Sequence, residues 1–176
     1  MTVRHYRVPP LFTYAGVALV YVTVDVAAPL TLSSISRRHG WDGARPGVLN
    51  VFGMLPLVAG AVLIVWAGAG HAAAWRERDW RVLKLDPDHL LTPDYLITDG
   101  LYRFSRNPLY VGDLAMWAGW AAFLGSVPVA AGLAALLVGL QAGVRIEERG
   151  LARQFGEEWL RYASSTPRFL GLRRQT

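Results

Sequence analysis

The sequence predicts an all-α, polytopic membrane protein with about four transmembrane helices, and three observations carry that prediction. First, 53% of its 176 residues are hydrophobic, and they gather into runs rather than scatter. Second, four runs approach or exceed the bilayer-crossing length of about 20 residues, with a lower limit near 17. They are Leu11–Leu32, Val48–Ala69, Leu109–Leu124 and Val127–Ile146. The third run is short and spans as half of a tight C-terminal helical hairpin, because only Gly125-Ser126 separates it from the fourth. Third, a four-span topology places 15 of the 18 Lys and Arg residues on one side and 3 on the other. The positive-inside rule then puts both termini and the loop before the hairpin in the cytoplasm.

The chain reads as a single membrane domain over 1–176. Two N-terminal spans occupy 1–70, a cytoplasmic loop with an interfacial segment 71–107, the hairpin 108–146, and a cytoplasmic helix and tail 147–176. Arg4 and Arg7 precede an apolar run too long for a signal-peptide core, with no small-residue cleavage site after it, so this is a first span rather than a removable leader. A net charge of +5 fits topology and contact with lipid headgroups. No stacking platform or basic recognition helix accompanies it, so a nucleic-acid partner is not expected. The absence of cysteine excludes disulfides, thiolate metal sites and a thiol nucleophile. Seventeen of the 18 basic residues are arginine, which hints at a bacterial source and so an inner-membrane location.

The first span carries Asp25 and then Pro29. An ionisable residue within a span is a functional hypothesis by default; packing, or pairing with Arg37 or Arg38 near the interface, is the plainer account. Ser33–Gly47 is a polar loop in which Trp41 suits an interfacial anchor. The second span holds Asn50 and Pro56, a proline tolerated as a kink. Gly68–Ala73 imitates a dinucleotide-binding Gly-x-Gly-x-x-Ala, but it follows a membrane-length run where that motif needs a short strand. His71 reads as a solvated residue at the span's end. His5, His39 and His89 are dispersed, so no metal site is expected. Trp75–Leu85 is an imperfect amphipathic segment suited to lie along the headgroups. Asp86–Asp99, with Pro87 and Pro93, is a loop.

Asn107 suits the cap of the hairpin's first helix and Pro108 its first position, where no N–H is needed. Ala115-x-x-x-Gly119 and Gly139-x-x-x-Gly143 supply small residues for close helix approach. Tyr110, Asp113, Trp117 and Trp120 share one stripe at helical spacing, and Asp113 must face protein or water. A charged helix follows over Gly150–Tyr162, with Phe155, Trp159 and Tyr162 on one apolar face that could close the hairpin's cytoplasmic mouth. Antiparallel pairing brings Arg106, Asn107 and Tyr110 to Glu147 and Glu148. With Arg103 they form a rim able to hold a zwitterion, since arginine forks onto a carboxylate and aromatics favour a cation. The same residues would also make an ordinary membrane-boundary belt.

The wording of these segments narrows the reading. Leu96-Ile97-Thr98-Asp99-Gly100-Leu101-Tyr102-Arg103, then Arg106-Asn107-Pro108-Leu109-Tyr110-x-Gly112, then Glu147-Glu148, then Phe155-Gly156-Glu157-Glu158-x-x-x-Tyr162 and Pro167-Arg168-Phe169-Leu170 stand in this order. The pattern, covering about Leu91–Leu170, resembles the isoprenylcysteine carboxyl methyltransferase and phospholipid methyltransferase superfamily of integral-membrane enzymes. The resemblance implies S-adenosylmethionine as cofactor and a lipophilic acceptor from the bilayer: an isoprenylcysteine-type carboxylate, a phospholipid amine, or a small isoprenoid or thiol. It further implies that Tyr102, Arg103, Arg106, Asn107, Pro108, Tyr110, Gly112, Glu147 and Glu148 line the cofactor pocket. Arg106, Asn107 and Glu148 would serve catalysis. Many members have His where this chain has Asn107, and an amide does not exchange protons near neutral pH, which puts a general base there in doubt. Residues 100–113 also resemble membrane steroid-reductase-like enzymes, which use NADPH, whereas a non-catalytic membrane protein would leave the rim replaceable. Membrane lipids are the expected surroundings, and no segment specifies an oligomeric state.

Overall fold

Long apolar runs become helices because a backbone in hydrocarbon must satisfy its own N–H and C=O groups. The structure, a computed structural model, describes residues 4–6, 10–77, 83–85 and 95–171. Among these, three helical stretches are long and apolar enough to cross a membrane: Tyr14–Ser34, Val48–Ala74 and Val127–Phe155. The first is built from α1 (Pro10–Tyr21), a π-helical segment (Val22–Ala27) and α2 (Ala28–Ser34). Tyr21 and Ala27 keep helical dihedrals, so no break separates these pieces. The second comprises α3 (Val48–Val51) and α4 (Met54–Glu77). Pro56 lies in the first turn of α4, where its missing N–H costs nothing, so the expected mid-span kink becomes a helix start. The hairpin is α5 (Pro108–Leu124, 17 residues) and α6 (Val127–Phe155, 29 residues).

The described chain divides into two compact units. One contains residues 16–65 and 109–140. Its surface is apolar: Leu19, Leu49, Leu55, Val65 and Val138 are all exposed, as suits a lipid solvent. Its core gathers Trp117, Leu124 and Val129 with Ala28, Leu32, Trp120 and Leu133. Strands β1 and β2 (Trp41–Asp42 and Arg45–Pro46) pair antiparallel around Gly43, whose φ of +56° suits glycine. Asn50 is a buried hub rather than a passive span residue. Its Nδ2 donates to the carbonyls of His39, Ala122 and Phe123 at 3.0, 3.0 and 3.1 Å. Trp41 likewise donates from Nε1 to the Phe123 carbonyl at 2.9 Å and stacks edge-on to its ring, so it is pinned to protein.

Close helix approach occurs between α4 and α5. A Cβ on Gly60 would lie 2.5 Å from the Gly112 carbonyl oxygen, and one on Gly119 would lie 2.5 Å from the Leu57 nitrogen. Gly139 and Gly143 meet nothing within 4 Å, so the expectation of a second small-residue seam on α6 is corrected. Gly60→Ala is therefore expected to lower stability by about 1–3 kcal/mol through overpacking against backbone. Gly139→Ala should not lower it, and thermal denaturation of both variants in detergent checks the contrast.

The other unit contains residues 1–15, 66–108 and 141–176. In it the strand Arg4–Tyr6 pairs antiparallel with Leu83–Leu85. Residues 1–3 and 7–9, the middle of the amphipathic Trp75–Leu85 segment and most of the Asp86–Asp99 loop, with Pro87, His89 and Pro93, lie outside the described residues. A 3-10 turn (Gly100–Arg103) leads to α5. Gly150 does not start a new helix, contrary to expectation: α6 runs on to Phe155. The break comes at Gly156, with φ +51° and ψ −123°, and α7 (Glu157–Ser165) follows. Leu151, Trp159 and Tyr162 form a core there with Leu96, Tyr102 and Phe155. The expected apolar face thus exists, but it is assembled across a bend.

Candidate active site

Within the second of these units, one polar cluster joins three separate segments. The turn before α5 is strapped to the segment after α7. Arg106 N donates to the Pro167 carbonyl at 2.9 Å, and Asn107 Nδ2 donates to the Arg168 carbonyl at 2.9 Å. Ser105 Oγ accepts from Asn107 N at 3.0 Å, closing a tight turn ahead of Pro108. Asn107 and Ser105 are buried, so each bond replaces a water contact that folding removed.

Glu148 holds the cluster's charge together. Its carboxylate accepts from Arg168 Nε at 3.1 Å on one oxygen and 3.0 Å on the other, with Arg168 Nη2 adding a third bond. Those bonds, opposed in part by burial, raise the Arg168 pKa and keep it cationic. Arg106 Nη1 stands 3.4 Å from Glu148 Oε1. The Arg106 guanidinium also lies 5.7 Å from the centre of the Trp159 ring, a cation–π distance. Two guanidiniums around one carboxylate leave a net positive charge. Arg106 Nε is buried and has no hydrogen-bond partner.

Tyr162 roofs the same turn. Its hydroxyl donates to the Tyr102 carbonyl at 2.7 Å. Burial raises its pKa, although the Arg106 charge opposes that, so the phenol stays a neutral donor. His71 corrects another expectation. It is not a solvated end residue: its Nδ1 lies 3.0 Å from the Tyr95 hydroxyl and its Nε2 lies 2.6 Å from the Tyr102 hydroxyl. Gly68-Ala69-Gly70 lies inside α4, away from any strand–turn–helix.

Of the sequence-predicted residues, Tyr102, Arg103, Arg106, Asn107, Pro108, Glu147 and Glu148 belong to this unit, and Tyr110 and Gly112 belong to the other. Arg106 and Glu148 are brought into contact; Arg103 is exposed, and Glu147 is half-buried. Gly112 packs on α4, where a Cβ would lie 2.6 Å from Ile64 Cγ1. Sequence reasoning left Ser105, His71, Tyr95 and Arg168 out of the site. Arg168 carried a signal in the Pro-Arg-Phe-Leu segment; His71 and Tyr95 carried none, because only the fold places them side by side.

The arrangement leaves one cationic donor, Arg106 Nε, in hand. It also lies largely within residues that match a known family. The phospholipid methyltransferase family model matches residues 49–158, more than half of the 176-residue chain and a range that contains Tyr102 through Glu148. No curated protein and no solved structure matches the chain. An apolar-surfaced helical protein matched over that range belongs to the phospholipid methyltransferase family and is an integral-membrane methyltransferase.

Proposed function

We propose that this protein transfers a methyl group from S-adenosylmethionine to a lipophilic acceptor that arrives through the bilayer. The observation that supports this most is the Arg106 guanidinium: half-buried, held by Glu148, set over Trp159 and left with a buried, unpartnered Nε–H. Such a group suits the carboxylate of an amino-acid cofactor, because a charge-assisted bond to an oriented guanidinium needs little reorganisation. When bound, the cofactor would supply a sulfonium methyl with its leaving group already in place. The chain's own part is then to orient and to exclude water. Glu148 and Trp159 fix Arg106, Asn107 and Ser105 fix the turn, and Tyr162 closes over Tyr102. Glu147 and Arg103, in the same unit, remain candidates for the cofactor's other polar groups. Asn107 is spent on the Arg168 carbonyl, so its role is to position rather than to take a proton. The skew of basic residues supports cytoplasmic termini and a cytoplasmic approach for the cofactor.

Calorimetric titration of the detergent-purified protein tests the reading. Saturable S-adenosylmethionine binding that a Glu147→Ala/Glu148→Ala variant loses is the expected result. Binding of NADPH alone would overturn it in favour of a reductase, and binding of neither would reduce the cluster to a membrane-boundary belt.

A further inference from the structure

The last turns of α6 sort their charged side chains by sign. Glu148 is buried and given to Arg106 and Arg168, and Glu147 is half-buried. Arg145, Arg149 and Arg153 are all exposed. They stand at i, i+4 and i+8, so they stack along one side of the helix over about 12 Å. Like charges at i, i+4, twice in succession, are unfavourable on a helix with only water around it. Among the described residues none of these arginines is paired with a carboxylate, and Glu157 and Glu158 follow only beyond the bend at Gly156. Ala142 and Ile146 are exposed on the same side, and the whole set falls within an arc of about 100°. Val144 and Leu151 are buried on the opposite side. The outward stripe is thus apolar at one end and cationic at the other.

The change of character falls at bilayer depth. No charged residue occurs between Val127 and Val144, about 27 Å of helix against a hydrocarbon thickness of about 30 Å. Arg145 and Arg149 therefore stand at headgroup level and Arg153 one turn beyond, with Ala142 in the acyl region and Ile146 at its edge. The arginines of the apolar-surfaced unit form no such ladder: Arg37, Arg38 and Arg45 lie outside any helix, and Arg38 is engaged over Trp41. Nor do they serve Asp25, which is 2% exposed inside that unit, not at an interface beside Arg37 or Arg38 as the plainer sequence account had it. We propose that Ala142, Arg145, Ile146, Arg149 and Arg153 seat one anionic phospholipid, its acyl chain along the apolar end and its phosphate between guanidiniums. Guanidiniums fork onto phosphate oxygens, and the lipid's net charge offsets the stacked repulsions. A zwitterionic lipid brings its own cation to the arginines and is held less tightly. A free phosphate has nothing for the apolar end, and an acidic protein does not reach below the headgroups. The seat is independent of which cofactor the protein binds.

The whole protein in non-ionic detergent is mixed with equimolar dioleoyl phosphatidylglycerol and dioleoyl phosphatidylcholine, and the lipids it retains are counted by native mass spectrometry. Phosphatidylglycerol is expected to be retained about tenfold or more over phosphatidylcholine. The Arg145→Gln/Arg149→Gln/Arg153→Gln variant is expected to lose one phosphatidylglycerol molecule, whose affinity falls about fivefold for each arginine removed. Arg37→Gln/Arg45→Gln/Arg161→Gln removes the same charge from other exposed positions and should lose none. Equal retention of the two lipids, equal loss in both variants, or no loss in the first would overturn the seat and leave a solvated helix face. Displacement of phosphatidylglycerol by millimolar inorganic phosphate would also overturn it, in favour of a plain anion site. Should the first variant lose its monodisperse profile, Arg149→Gln alone decides. S-adenosylmethionine titrated into the same samples separates this seat from the cofactor reading: lipid retention without cofactor binding would keep the seat and sink the cofactor proposal.

Discussion

Glu148→Gln is expected to lower methyl transfer by roughly 100-fold, the scale of loss when reacting groups are misplaced by about 1 Å. The amide keeps the shape but removes the charge that two guanidiniums share. Arg168 then keeps only the bonding to the one remaining oxygen, and Arg106 loses the ion pair that holds it over Trp159. Breaking a buried pair costs about 3–5 kcal/mol, but Arg168 is 36% exposed, so about 2–3 kcal/mol of stability is the expected loss. Kinetics on purified protein with S-adenosylmethionine, beside a thermal melt, separates the two effects. Near-normal rates in a destabilised variant would show that Glu148 is structural only.

Arg106→Lys is expected to raise the Kd for S-adenosylmethionine by about 10–100-fold, one to two charge-assisted bonds' worth. Lysine keeps the charge but has no Nε–H directed from a planar fork, and it stacks less well on Trp159. Arg161→Lys is the control, because Arg161 is exposed on α7 and should leave the Kd unchanged. Calorimetry reads both. A Kd that ignores Arg106→Lys would move the cofactor's carboxylate elsewhere.

The helical, membrane-embedded class was legible because hydrophobic run length reports directly on what a bilayer demands. The meeting of Arg106 with Glu148 was legible too, since a two-residue turn at Gly125-Ser126 forces antiparallel neighbours. Three things were not. Glu148's fork to Arg168 spans 20 residues across the bend at Gly156, and a charged stretch with helical periodicity does not announce which glycine breaks it. Gly150 and Gly156 look alike in sequence; only the positive φ distinguishes them. The His71 bridge joins α4 to the segment before α5, and no spacing rule relates residues 24 and 31 apart. Finally, the glycine pattern located close packing but not its partner: the second span contributes Gly53, just before α4, and Gly60 within it, at an interval that matches no short motif, yet these face Gly112 and Gly119 on α5.

The π-helical stretch at Val22–Ala27 also bears on how this helix can change without unfolding. A π turn takes in one more residue than an α turn, so the added residue is absorbed locally and the helix on either side keeps its facing. Removing one residue would restore ordinary winding and leave Leu19 and Val20 facing outward, but Asp25, whose carbonyl accepts from Trp120 Nε1, would lose its irregular backbone. The extra girth therefore accommodates a residue without turning the helix. It lets a helix whose first half faces lipid carry a buried carboxyl in its second half.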